Sequence, residues 1–387
     1  MNELLKAVPK SVWLLGLAHC VADLSPGALY VALPFLKAKF ALSYAEVSAI
    51  VLVQNIAASI TQPLFGYFSD KKHRPWLMPM GCLLTGLFMT ASLFAPNYYL
   101  VLLCTAISGF GNAAFHPEAA KTVNQLSGVA KGKCISVFSV GGYAGVALGS
   151  LLLGSLLLGG ESYRLLWYAL PSILIFIALL SVMHQFPQMT VRGASTLGTL
   201  KEAVSWPLMA LLGMILTRAT ISSGLGTFVP LYYMAYLGGE SVYVSSLLTI
   251  FLGAGVVGTL IGGTMSDKYG SKKVMLYSTL PIAALLYLFM TAQGASLFLL
   301  LALISILLSA TATSSMVFAQ RMMPKNIGMA SGLTLGFSIG LGTMGVTGLG
   351  KLADVWGLPL VFEILTVLPL LGFILTMFVR EPQRVRN

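Results

Sequence analysis

His19 and Asp23 stand four positions apart in an otherwise apolar stretch, so a helix would carry an imidazole and a carboxylate on one face. That face continues as Gly16, His19, Asp23, Gly27, Tyr30 and Pro34, a small and polar stripe expected of a cavity wall. A second apolar stretch carries Arg218, with Ser222 one turn further along the same face. A third leads into "GFGNAAFHPEAAKTV", residues 109–123, where His116, Pro117 and Glu118 are neighbours. On a helix His116 continues a stripe of Thr105, Ser108 and Asn112, while Glu118 points away from it, within reach of Lys121 or the following loop. Pro117 removes the hydrogen bond to the carbonyl of residue 113 and is expected to bend or end the helix. The chemistry open to such groups is proton exchange and anion binding. Histidine titrates near neutral pH, and a guanidinium holds anionic groups. The competing readings are a packing role for His116 and a structural ion pair for Asp23 with Arg218, because buried polar groups need partners in any case.

The elements that position these residues follow from composition. Of 387 residues, 57% are hydrophobic and 9% charged, with a mean hydropathy of +0.87. A soluble domain carries about 25% charged residues, so the solvent for most of this chain is lipid. A helix needs about 20 apolar residues to cross a bilayer. Windows of that length place spans at 11–35, 44–68, 75–94, 98–119, 134–158 and 163–184, then at 205–236, 243–265, 273–292, 295–319, 328–350 and 357–379. The fold class expected is an all-α membrane protein of twelve transmembrane helices. Continuous apolar runs exclude a membrane β-barrel, whose strands alternate. The first run is too long for a signal segment and shows no clear cleavage site, so it is read as a retained helix.

The net charge of +11 is distributed by side. With the N-terminus in the cytoplasm, 18 of the 23 Lys and Arg fall on cytoplasmic segments, and Lys37, Lys39, Arg164 and Lys351 on outer loops; Arg218 lies within a span. This bias places both termini inside and removes the case for nucleic-acid binding. Cys20, Cys82, Cys104 and Cys134 lack metal-ligand spacing and read as small buried hydrophobes. No nucleophile elbow, phosphate loop or metal-ligand cluster is visible, so an enzyme, a cofactor and a metal are not expected. His73 and His184 have no evident partner in sequence, and Glu46, Glu161, Glu240, Asp354 and Glu363 read as solvated groups at outer helix ends.

The chain also repeats itself. "GYFSDKKHRPW" begins at Gly66 and "GTMSDKYGSKK" at Gly263, 197 positions later, and the same interval separates Asp70 from Asp267. Pro34 and Pro230 are 196 apart. The division expected is a six-helix bundle at 1–185, a central cytoplasmic loop at 186–204 and a second six-helix bundle at 205–387, the parallel-repeat plan of many secondary transporters. Gly141, Gly145 and Gly149 recur at four-residue spacing in the fifth span, and Gly332, Gly336 and Gly340 in the eleventh, which lets helix backbones approach closely.

The two copies of Gly-x-x-x-Asp-Lys, at 66–71 and 263–268, resemble the signature of the major facilitator superfamily, and helix count, duplication and orientation extend the resemblance over the whole chain. It implies two pseudo-symmetric bundles, alternating access, and a conformational latch formed by Gly66, Asp70, Arg74, Gly263, Asp267 and Lys268. The first copy departs from the usual pattern in having His73 where glycine is customary. The resemblance also implies that the first, fourth, seventh and tenth helices line a central cavity, the last offering Thr311, Thr313 and Ser315. Asp23 and Arg218 are then expected at similar depth, with His19, Tyr30, Asn112 and Ser222 beside them. "GFGNAAFHPEA" and "TRATISSGLGTFVPLYY" resemble the fosmidomycin-resistance branch of that superfamily, inner-membrane exporters that exchange a drug for protons. That implies a monomeric, multi-pass antiporter of the bacterial inner membrane, for drug efflux and antibiotic resistance, whose partners are a small amphiphilic or anionic substrate, protons and lipid. Asp23 and His116 are the proton-coupling candidates. Proton-coupled uptake of an organic anion, and a receptor or assembly protein on the same scaffold, are the alternatives.

Overall fold

Apolar runs in lipid have to satisfy their own backbone hydrogen bonds, and here they do so as helices. A computed structural model describes residues 8–71, 74–127, 131–158, 160–186, 206–236, 241–322, 334 and 338–379. In chain order its long helices are α1 Lys10–Phe40, α2 Tyr44–Lys71, α3 Leu77–Phe94, α4 Tyr98–Leu126, α5 Lys131–Leu157, α6 Leu170–Val182, α7 Trp206–Tyr236, α8 Ser241–Tyr269, α9 Ser271–Thr291, α10 Ala295–Met322, α11 Ser338–Trp356 and α12 Leu358–Phe378. A 3₁₀ stretch, Ser162–Ala169, leads into α6. Among the described residues, 11 spans are long and apolar enough to cross a membrane, the sixth counted with its 3₁₀ entry; α11 is described only from Ser338. Large apolar side chains on the outer faces are exposed, Leu174 and Ile177 of α6 by 57% each, which suits contact with acyl chains. All five tryptophans are exposed and stand at helix ends, as Trp13, Trp76, Trp167, Trp206 and Trp356 do, which matches an interfacial aromatic belt.

The duplication is visible in the elements themselves. Tyr44 and Ser241, and Tyr98 and Ala295, begin corresponding helices 197 positions apart. Gly160 and Gly357, at the same interval, both adopt left-handed backbone, with φ +64° and +82°. Gly270, between α8 and α9, has φ +92°, a conformation that favours glycine; the matching His73 lies outside the described residues.

Two compact units result, one of residues 1–42, 49–194 and 233–249, the other of 43–48, 195–232 and 250–387. Two short stretches thus join the unit of the other half. Thr249 belongs to the first unit, where its hydroxyl lies 2.7 Å from that of Ser150. Residues 43–48 belong to the second, where the Asp354 carboxylate accepts the backbone N–H groups of Tyr44 at 2.5 Å and Ala45 at 3.0 Å. A carboxylate on two free N–H groups of a helix N-terminus is favourable. Ser43 and Glu46 complete that terminus as a reciprocal capping box, the Ser43 N–H donating to Glu46 at 2.8 Å and the Glu46 N–H to Ser43 at 3.1 Å. Glu46 and Asp354, both exposed, thus serve as caps as well. Lys37 and Lys39 also depart from expectation. They lie in the last turn of α1, and Lys39 Nζ donates to the Leu93 and Ala95 carbonyls at the end of α3, at 2.8 and 2.9 Å.

The tightest packing in the first unit is α1 against α5. A β-carbon at Gly141, Gly145 or Gly149 would stand 2.1, 2.1 and 1.9 Å from the carbonyl oxygens of Gly16, Cys20 and Leu24. From the α1 side, one at Gly27 would stand 1.8 Å from the carbonyl of Val146. The four-residue glycine spacing thus lets the two backbones touch within one bundle. In the second half the corresponding role falls on Gly342 and Gly345 of α11, which lie against Ala219 and Thr220 of α7. Gly340 faces open space, and Gly332 and Gly336 lie outside the described residues. Gly145→Val is expected to destabilise the protein by at least about 1–3 kcal/mol, as overpacking does, and Gly340→Ala to leave it near wild type; thermal unfolding of the purified proteins measures both.

Candidate functional site

The stripe on α1 divides between packing and chemistry. Gly16 and Gly27 are spent on the contact with α5, and His19 and Asp23 lie between them at its edge. Asp23 Oδ2 is 3.1 Å from His19 Nε2, one turn back on the same helix. Its other oxygen, Oδ1, is 3.1 Å from His116 Nε2 and accepts the Asn112 side-chain N–H at 2.9 Å, both from α4. His19 Nδ1 is 2.7 Å from the backbone carbonyl of Phe138 on α5. The His19 ring stacks on that of Phe138 with centroids 4.1 Å apart, and the His116 ring meets it edge-on at 4.9 Å. The Asp23 side chain is 13% exposed. Desolvating a carboxylate this far is costly unless donors replace the water, and here three side chains from two helices do so.

Local sequence explains the placement. His19 and Asp23 meet because residues four apart share a helix face, and Asn112 and His116 repeat that spacing on α4. Gly142 lets α5 close over the pair: a β-carbon there would be 2.4 Å from His19 Nε2 and 2.9 Å from Asp23 Oδ2. Neither Phe138 nor Gly142 stands out in sequence as a site residue. Their part is set by the α1–α5 crossing, 119 positions along the chain from His19 to Phe138. One nitrogen or carboxylate oxygen from each of His19, Asp23 and His116 also lies within 4.8 Å of the others, a grouping that sequence spacing does not reveal.

Other expectations change. Pro117 does not end α4, which runs on to Leu126. Glu118 is fully buried. Thr105 and Ser108 are buried packing groups rather than wall: Thr105 bonds back to its own helix at 3.0 Å, and Ser108 donates to the Thr85 carbonyl on α3 at 3.0 Å. Thr311 is buried with its hydroxyl 2.7 Å from that of Ser278 on α9, and Ser315 is buried as well; Thr313 is half-buried.

Tyr30 is half-buried on α1. In the second unit, Arg218 and Ser222 are half-buried on α7, and Arg218 directly precedes Ala219 and Thr220, on which Gly342 and Gly345 pack. The repeated signature glycines occupy matching niches, a β-carbon at Gly66 falling 3.7 Å from Pro117 and one at Gly263 falling 3.7 Å from Thr313. Arg74 is half-buried and Lys268 exposed, whereas the side chains of Asp70 and Asp267 lie outside the described residues. A separate cavity of about 320 Å³ opens toward the other end of α1, between Phe35, Leu156 and Met234. Its lining is apolar but for Glu161 and Ser162, and it contains none of the groups gathered around Asp23.

Comparison with known proteins gives the family. The model of the Major Facilitator Superfamily matches residues 15–197 and 210–387. The fosmidomycin resistance protein of Escherichia coli K12 is 32% identical over 95% of this chain and 92% of its own length. The MFS-type transporter YfnC of Bacillus subtilis is 28% identical over 97% and 93%. Among solved structures, the nucleoside transporter NupG superimposes with a TM-score of 0.78 over 95% of this chain and 99% of its own, at 15% identity, which shows the fold.

Replacing Asn112 with leucine removes one of the donors on Asp23. A hydrogen bond to a charged group is worth about 1.5–3 kcal/mol, so Asn112→Leu is expected to lower thermal stability by that order while the protein still inserts; unfolding of the purified variant measures it.

Proposed function

The chain belongs to the Major Facilitator Superfamily and is a multi-pass membrane transporter rather than an enzyme; from that premise we propose that it is a proton-coupled antiporter exporting a small amphiphilic or anionic compound across the bacterial inner membrane by alternating access. One observation carries the proposal: an ionisable Asp23–His19–His116 cluster held within an apolar bundle. Ionisable groups in a membrane interior are costly and mark ion or substrate pathways. The likeness to a fosmidomycin resistance protein over nearly the whole chain supports export of such a compound.

In this reading the cluster around Asp23, with His116 as one of its members, takes up a proton from the outside and releases it to the cytoplasm, and Arg218 of α7 holds the anionic group of the substrate. Both termini are cytoplasmic, as the distribution of Lys and Arg requires. The repeated signature with Asp70 and Asp267 serves as the conformational latch. A receptor has little use for such groups in lipid, and no ATP-binding motif is visible in the sequence.

Everted membrane vesicles with an acidified lumen test the proposal, with fosmidomycin as the probe. The drug should enter the lumen as protons leave it. Drug leaving together with protons would establish uptake instead, and drug movement indifferent to the gradient would overturn proton coupling. Arg218→Ala is expected to lower transport by about 10–100-fold, the worth of one charge-assisted contact, with insertion retained. Wild-type flux in that variant would remove Arg218 from the substrate site.

A further inference from the structure

The two histidines on Asp23 are not equivalent. A carbonyl oxygen only accepts, so the 2.7 Å contact with Phe138 requires His19 Nδ1 to carry a hydrogen. A neutral imidazole has one N–H. With that hydrogen on Nδ1, neutral His19 presents the bare lone pair of Nε2 to Asp23 Oδ2, 3.1 Å away. Lone pair would then face carboxylate lone pair, and the contact is attractive only with a proton between the two atoms. His116 is under no such constraint: its Nε2–H can donate to Oδ1 while the ring stays neutral.

We propose that the contact between His19 Nε2 and Asp23 Oδ2 is the proton-binding site of this protein, with the Phe138 carbonyl fixing the His19 tautomer and His116 serving as a neutral donor that holds the carboxylate in place. Asn112 and His116 already serve Oδ1, so Asp23 is best matched as the carboxylate and the proton resides on His19 Nε2. The face of Phe138 against the His19 ring favours the imidazolium. Binding adds one H⁺ to His19 bearing Nδ1–H and yields an imidazolium that donates from both nitrogens. Release returns that proton to water and leaves Nε2 and Oδ2 repelling each other. The contact is therefore attractive when loaded and repulsive when empty, which ties proton occupancy to how the His19 and Asp23 side chains sit on α1.

Other titratable groups near Asp23, among the described residues, are Cys20 on its own helix, Cys82 on α3 and His116 on α4. Cys82 is engaged with the Ala18 carbonyl at 3.6 Å, α5 presents Gly142 and the Phe138 carbonyl, and Tyr168, ahead of α6, lies toward Ser25. None supplies another hydrogen to the Nε2–Oδ2 contact.

The assignment deepens the proton-coupled reading but is tested apart from transport. Nitrogen-15 NMR of histidine-labelled, purified protein in lipid nanodiscs, with His19→Gln to identify the resonance, reads the tautomer directly. His19 is expected to keep Nδ1–H throughout and to titrate at Nε2; a neutral Nε2–H form at high pH would overturn the proposal. If the tautomer is as expected and drug flux ignores a proton gradient, the function is wrong and the site stands. Coupled flux with an untitrating His19 would instead remove the site and leave the function standing. In Gly142→Ala the methyl intrudes on the protonated contact, which weakens proton binding, so the transport midpoint should move down by at least one pH unit, a tenfold loss of proton affinity. An unmoved midpoint in a folded variant counts against the assignment. Zinc is the remaining control: one Zn²⁺ bound per protein and lost in His19→Gln would make the cluster a metal site and sink the proton reading.

Discussion

Asp23 sets the terms for the first bundle. A carboxylate 13% exposed inside an apolar assembly has to be met by donors, and each donor must come from a defined direction. His19 comes from one turn below, His116 and Asn112 from α4, and α5 closes the remaining side with the Phe138 carbonyl on His19. Three helices are thereby tied to one side chain. The same group that costs most to bury is the one whose partners specify how α1, α4 and α5 sit together.

That cluster depends on how closely α1 and α5 approach. Between helices in lipid there is no hydrophobic drive, so association depends on van der Waals fit and on small residues that let backbones meet. The Gly141, Gly145 and Gly149 ladder provides this over two turns, and Gly142, one position out of step, opens the niche that His19 and Asp23 fill. Had residue 142 carried a side chain, the contact between His19 and Asp23 would have no room. The second half uses the same device with different members, Gly342 and Gly345 packing on Ala219 and Thr220, the two residues that follow Arg218.

The outer ends of the helices are governed by capping. Asp354 and the Ser43–Glu46 box satisfy the N–H groups that open α2, and Lys39 satisfies the carbonyls that end α3. Buried or half-buried helix ends need such partners because lipid offers none.

Much of this was legible in the residues alone. Continuous apolar runs determine twelve helices because the bilayer has one thickness and a helix one rise, and the interval of 197 reveals the duplication because corresponding turns need the same glycines and prolines. The pairing of His19 with Asp23 follows from helical spacing, a local rule. What the sequence could not determine is which residues meet across helices. Pro117 was readable as a break, yet packing carries α4 through it, and Ser108 and Thr311 look like cavity wall until their helix neighbours are known to accept and donate to them. The union of Asp23 with Asn112 and His116, and the hold of Phe138 on His19, join positions about 90 to 120 apart. Only the crossing of three helices decides such contacts, because crossing geometry comes from the fit of whole helix surfaces and not from any short stretch of chain.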